Sequence, residues 1–153
     1  HPEGSVWNHT LLVVDQAAQR KQDSTNPRGF MWAALLHDIG KPSTTRIRKG
    51  RITSYDHDKK GAELTEEFLN ALHQEQAFVV YVRNLVRYHM HILYILKGLP
   101  FADLSGMKQS VDVYDIALLG LCDRLGRHGA DPKAEEENIR KFLKVVKSTQ
   151  RKE

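Results

Sequence analysis

Apolar positions along this chain recur at three- and four-residue spacing through most of its length, which predicts helices. Val6, His9, Val13 and Ala17 share one face of a first helix running to about Lys21, with Ser5 as its N-cap. Polar Gln22–Asn26 reads as a loop, and Pro27 suits the first turn of a second helix carrying Phe30, Met31, Ala34 and Leu35. That helix runs into Ala33–Lys41, an apolar stretch closed by the adjacent His37-Asp38, with Gly40 as the expected stop signal. Between Pro42 and Tyr55 the pattern changes. Thr44, Thr45, Ile47, Ile52 and Thr53 are β-branched around Lys49-Gly50, which predicts a small hairpin. Helical spacing resumes from about Lys59 to His73, with Leu64, Phe68 and Leu72 inward. It continues from about Gln74 to Met90, with Val82, Leu85, Val86 and His89 aligned. A loop around Gly98-Leu99-Pro100 precedes a helix from Asp112 to Arg124, where Ile116, Leu119 and Asp123 share a face. The last helix, Lys133 to Lys147, turns Ile139, Phe142, Leu143 and Val146 inward. The expected fold is all-α: a helical bundle with one small β-hairpin, forming a single domain over residues 1–153.

Composition narrows the class. With 153 residues, 41% of them hydrophobic, the chain can bury a core without disulfides or structural metal. Cys122 is the only cysteine, so no disulfide framework exists and a reducing cytoplasm is expected. No apolar run approaches about 18 residues, so no membrane span is expected, and no signal peptide is expected either. The first residue is His1 rather than Met, as in a segment of a longer chain. A net charge of +4 suits an anionic ligand but does not by itself specify nucleic acid. The hairpin charges Arg46, Arg48, Lys49 and Arg51 have one sign. They read either as a solvated ribbon or as an electropositive flap that holds phosphate.

The polar residues on apolar faces carry the chemistry. His9, His37, His57 and His89, with Asp38 and Asp123, each lie on an apolar helix face or at a helix end. Any one of these histidines alone reads as a hydrogen-bonded core residue. Together they leave too much polarity for a core to hold unless a cation binds them, and a helical bundle can gather such scattered groups at its centre. The mixed nitrogen and oxygen donors suit Zn, Mn, Fe or Ni better than Ca. His91 follows His89 by two residues and so cannot share its helix face, which places it at the rim or as a proton donor.

The motifs that carry a family likeness are His1 through Leu11 (HPEGSVWNHTL), Leu36-His37-Asp38-Ile39-Gly40-Lys41-Pro42, His57 before a helix, and Cys122-Asp123-Arg124-Leu125-Gly126-Arg127. In these, the chain resembles the HD superfamily of metal-dependent phosphohydrolases. More narrowly, it is similar to the HD domain found in some bacterial CCA-adding tRNA nucleotidyltransferases, over about the first 128 residues. The resemblance implies that His9, His37, Asp38 and Asp123 hold a primary metal, and that His57 and His89 hold a second ion bridged by Asp38. It implies one or two divalent ions, drawn from Mn, Fe, Ni, Zn, Co or Mg. Asp38 and Lys41 would be catalytic, and Lys41, Arg46, Arg124 and Arg127 would meet the substrate phosphate. The plainer readings are a C-capping cation at Lys41 and a solvated pair at Arg124 and Arg127. The activity implied is a phosphatase or phosphodiesterase on nucleotides, cyclic nucleotides or RNA ends, with a phosphorylated small molecule or RNA as partner. Two rivals are a non-catalytic RNA-binding module of a tRNA nucleotidyltransferase-like protein and a di-iron oxygenase. Nucleotide transfer itself is not expected, because the only Asp-x-Asp is Asp56-His57-Asp58 and no Gly-Gly precedes it.

Overall fold

The computed structural model describes residues 5–150, so the His1–Gly4 part of the opening motif lies outside the described residues. The chain folds as helices with one two-stranded antiparallel ribbon, as the apolar periodicity predicts. In order these are α1 (Val6–Arg20), a 3-10 turn (Lys21–Asp23), α2 (Pro27–Leu36), α3 (Lys41–Thr44), β1 (Arg46–Arg48), β2 (Arg51–Thr53), α4 (His57–Ala71), α5 (Gln76–Tyr88), α6 (His91–Leu96), α7 (Leu104–Ser110), α8 (Val113–Leu125) and α9 (Pro132–Gln150). Ser5 caps α1 by accepting from the Asn8 amide, and Asn26 caps α2 from the Gly29 amide with Pro27 in the first turn.

Helices α1, α2, α4, α5, α8 and α9 surround a core built from Val13, Phe30, Leu69, Val82, Leu85, Met107, Ile116, Leu119 and Phe142. Buried Asp115 on α8 ties the frame together. It accepts from the Thr25 amide and hydroxyl before α2 and from the Tyr81 hydroxyl on α5. Charge-accepting bonds of this kind offset the cost of burying a carboxylate. Cys122 lies in the core, and burial pushes its thiol up to about 12. In the folded protein at pH 8, Cys122 is therefore expected to react with a thiol reagent at least roughly a thousandfold more slowly than free cysteine. A colorimetric thiol titration with and without urea checks this. Fast stoichiometric reaction of the native chain would contradict the placement.

The structure departs from the sequence reading in several places. The inner face of α4 is His57, Gly61, Ala62, Thr65 and Leu69, whereas Phe68 and Leu72 are 41% and 45% exposed. Small residues face inward because the backbone of Gly40 lies against that of His57 and Gly61. A Cβ on Gly40 would sit 2.1 Å from the His57 carbonyl oxygen. Phe68 instead stacks on Trp32, with ring centroids 5.9 Å apart. Gly40 is not a left-handed stop signal either. Its φ is −76°, an ordinary right-handed value, so glycine is required there by the close approach alone. Helix α2 ends at Leu36, and the stretch after Gly40 begins with the short helix α3 before the hairpin. Leu35 of α2 is at the surface. Helices α6 and α7 occupy the stretch read as a loop, because six and seven residues carry too little periodicity to be seen. His91 is buried rather than at the rim: its Nε2 accepts from the Asp103 amide, fixing α6 to the segment before α7.

Candidate metal centre

Each candidate imidazole is aimed by its own Nδ1. In α2 and α5 the last backbone carbonyls have no partner within the helix. His37 Nδ1 donates to Ala34 O (2.7 Å) and His89 Nδ1 to Val86 O (2.6 Å), so a helix end and a ligand orientation are satisfied by one bond. His57, the first residue of α4, donates from Nδ1 to Ser54 O at 3.0 Å. His9 reaches across from α1 to the end of α8, where its Nδ1 donates to Gly126 O at 3.0 Å. Carbonyl oxygens only accept, so all four Nδ1 atoms carry the proton and all four Nε2 atoms turn toward one place.

The two carboxylates stand among those Nε2 atoms. Asp123 Oδ1 lies 2.7 Å from His9 Nε2 and 3.5 Å from His37 Nε2. Asp38 divides its oxygens: Oδ2 faces His37 (3.3 Å) and His9 (3.8 Å), and Oδ1 faces His57 and His89 (3.5 Å each). The donors therefore form two overlapping groups, His9–His37–Asp38 and Asp38–His57–His89, which share Asp38. All these residues are buried.

This donor set fits a cation. His37 Nε2 is buried with no hydrogen bond among the described residues. His57 and His89 bring their Nε2 atoms to 3.2 Å while each Nδ1 is engaged by a backbone carbonyl. Two nitrogens at about 2.1 Å from one ion are separated by roughly 3.0–3.4 Å, which is the separation seen here. The charges balance in the same sense. Burial alone would raise Asp38, but the His37 and His89 imidazoles hold it far below the usual carboxylate range. Burial likewise acts to raise Asp123, and the neighbouring His37 and His9 imidazoles keep it well below that range. His37 goes the other way: burial pulls it down, but Asp38 and Asp123 hold it well above the ordinary histidine value. His57 is lowered by burial and by His89.

The expected phosphate ligands divide. Lys41, at the start of α3, places Nζ 3.3 Å from Asp38 Oδ2. Arg127 lies one turn after Asp123, its guanidinium 4.0 Å from that carboxylate and its Nε buried without a hydrogen bond among the described residues. Arg124 is paired with α9, where its Nε and Nη2 donate to both oxygens of Glu135 (3.1 and 3.2 Å), and both residues line the cavity beside the centre. Arg46 is exposed on β1, where it donates to the Thr45 carbonyl. Glu135 had no sequence signal, because it falls within a run of three acidic residues on an amphipathic helix. The same is true of the cavity of about 350 Å3 beside the centre. His89 and Asp123 stand at its edge, Ile92, Leu93 and Leu96 of α6 and Ile139 of α9 wall it, and Arg127 and Asn138 also line it.

Comparison with known proteins agrees with this geometry. The family model described as HD domain matches residues 6–141. The Multifunctional CCA protein of Actinobacillus pleuropneumoniae serotype 5b is 34% identical over 91 residues, covering 60% of this chain and 22% of that protein. The A-adding tRNA nucleotidyltransferase of Deinococcus radiodurans is 37% identical over 87 residues, 56% of this chain and 20% of that protein. A Multifunctional CCA protein of Pseudomonas fluorescens SBW25 is 32% identical over 143 residues, 86% of this chain and 32% of its own length. The chain thus spans between about a fifth and a third of these relatives. Among the described residues, no helix is long and apolar enough to cross a membrane.

Proposed function

The chain belongs to the HD domain family, and from that premise we propose that it is a metal-dependent phosphohydrolase that cleaves phosphate esters of nucleosides. Nucleotides, cyclic nucleotides and RNA ends are the substrate class. The observation that carries this reading is the set of four imidazoles, each locked at Nδ1 by a backbone carbonyl and converging at Nε2 on two carboxylates. His9, His37, Asp38 and Asp123 would hold one divalent ion, and His57 and His89 a second, with Asp38 common to both. Such an ion, when bound, lowers the pKa of a water molecule and withdraws charge from phosphoryl oxygens. The chain's own part is positional. Asp38 keeps the two halves of the centre at fixed separation. Lys41 and Arg127 place cations at its edge, where charge builds on the phosphoryl oxygens during in-line displacement. Arg124, held by Glu135, lines the cavity beside them. The apolar wall of Ile92, Leu96 and Ile139 receives the organic part of the ester and excludes water from it.

Elemental analysis of protein purified without added metal, paired with a panel of phosphorylated substrates, tests this reading. Bound divalent metal and metal-dependent release of phosphate or opening of a cyclic phosphate are expected. A protein that takes up no metal, or that hydrolyses nothing with any of Mn, Fe, Ni, Zn, Co or Mg supplied, overturns it. Ile139→Trp narrows the cavity wall, so kcat/KM for nucleoside phosphates should fall roughly tenfold relative to esters of small alkyl alcohols. Equal loss for both classes would place the nucleoside elsewhere. The cation-rich hairpin favours the non-catalytic RNA-binding reading. That reading gives no role to the converging donors, and the same metal and hydrolysis measurements separate the two.

A further inference from the structure

The hairpin breaks two local rules, each time in favour of positive charge. Lys49 and Gly50 both have positive φ (51° and 76°), the backbone of a tight two-residue turn whose first position favours Asn, Asp or Gly. A lysine there accepts steric strain that the turn itself does not require. Directly behind the turn, Arg48 faces Arg51 across the strands, and like charges at paired positions repel. Arg46 continues the same face opposite Thr53, while Ile47 and Ile52 pair on the other face, 80% and 78% exposed. Among the described residues no carboxylate forms an ion pair with Arg46, Arg48, Lys49 or Arg51. Tyr55, just past β2, is exposed, and the Arg48 guanidinium stands 5.4 Å from its ring centre.

Both ends of this ribbon are rooted in the candidate centre. Its entry follows Lys41, which sits beside Asp38, and its exit is Ser54, whose carbonyl orients His57. We propose that the hairpin is an arm that binds single-stranded polynucleotide: Arg48, Lys49 and Arg51 contact successive phosphates, and Tyr55 offers a stacking face to a base. A row of cations with an adjacent open aromatic ring is the combination that holds a flexible phosphodiester chain without reading its sequence. An anionic membrane surface is a poorer match, because insertion needs apolar and cationic side chains on one face and here they lie on opposite faces. A strand lying along the arm leads to the metal centre. The inference therefore deepens the phosphohydrolase reading and rests on it in one respect: it makes the ends of polynucleotides, rather than free mononucleotides, the substrate.

Fluorescence anisotropy of the full chain with a labelled single-stranded RNA 12-mer, and with DNA of the same sequence, tests the arm across 50–200 mM salt. Removing two phosphate contacts in Arg48→Gln/Arg51→Gln should flatten the log–log salt dependence by about 1.4. Over that range the variant then loses roughly sevenfold less affinity than the parent. Tyr55→Ala should weaken binding about fivefold or more with the slope unchanged, since stacking carries no counterion release. Metal content and melting temperature of each variant confirm that the exposed ribbon can change without loss of the fold. Preference for RNA or for DNA names the source of the strand, and either result supports the arm. Parent protein that binds neither oligonucleotide, variants with the parental slope, or tighter binding to phosphatidylserine vesicles than to the 12-mer would overturn it. Hydrolysis by the parent chain is scored separately. Polynucleotide binding without any hydrolysis removes the phosphohydrolase reading and leaves the arm standing, whereas hydrolysis without polynucleotide binding removes the arm alone.

Discussion

Asp38→Ala is expected to abolish metal binding and phosphate-ester hydrolysis together. Asp38 is the residue the two donor groups share: one of its oxygens faces His9 and His37, the other His57 and His89. Alanine removes the carboxylate common to the two donor groups. It also leaves buried imidazoles facing one another across the gap. Loss of a partner that merely orients a ligand costs about 10–100-fold in metal affinity, so loss of the shared ligand should exceed about a hundredfold. Metal stoichiometry after dialysis and the rate of phosphate release are the measurements. Asp38→Asn separates shape from charge, since it keeps the volume and loses the anion, and it should behave nearly as badly. Full activity in a metal-free Asp38→Ala protein would remove the mechanism altogether.

The second large effect is expected at a residue with no functional group. In Gly40→Ala the new Cβ would lie 2.1 Å from the His57 carbonyl oxygen and 2.6 Å from the Gly61 amide nitrogen. Both are backbone atoms, so no rotamer change relieves the overlap, and α4 must move away from the turn that carries His37 and Asp38. Overpacking of this kind costs about 3 kcal/mol or more, which for a chain of this length corresponds to a fall in melting temperature of roughly 10 °C. The displacement carries His57 with it, so the variant should also lose metal from the Asp38–His57–His89 group first. Gly50→Ala is the matched control. Its Cβ meets nothing, and only the positive φ of 76° opposes it, so the cost should be about 1 kcal/mol. Calorimetry on the two variants decides the matter: Gly40→Ala melting no lower than Gly50→Ala would show that the turn and α4 are not in contact.

Polar residues on apolar helix faces are legible in the sequence because burying them unpaired is costly, and His9, His37, Asp38, His57, His89 and Asp123 stand out for that reason. The structure gathers all six into one buried cluster. Part of the cluster's orientation is also local. For His37, His57 and His89 the carbonyl that accepts Nδ1–H lies three residues earlier in the chain, at Ala34, Ser54 and Val86. The hairpin was equally readable, from β-branched residues flanking Lys49-Gly50.

Other features depend on contacts between distant segments. His9 finds its carbonyl at Gly126, 117 residues away. Arg124 is held by Glu135, a partner no spacing rule selects. Periodicity ranks residues by apolar bulk and so predicts Leu64, Phe68 and Leu72 as the inner face of α4. The packing was decided instead by how closely Gly40 and Gly61 let two backbones approach, which put Phe68 and Leu72 outside. The sequence alone thus determined which elements form and which polar groups must meet. Tertiary structure decided which way each element turns and which partner each cation takes, because volume, close approach and long-range hydrogen bonds are properties of the packed chain and not of any one segment.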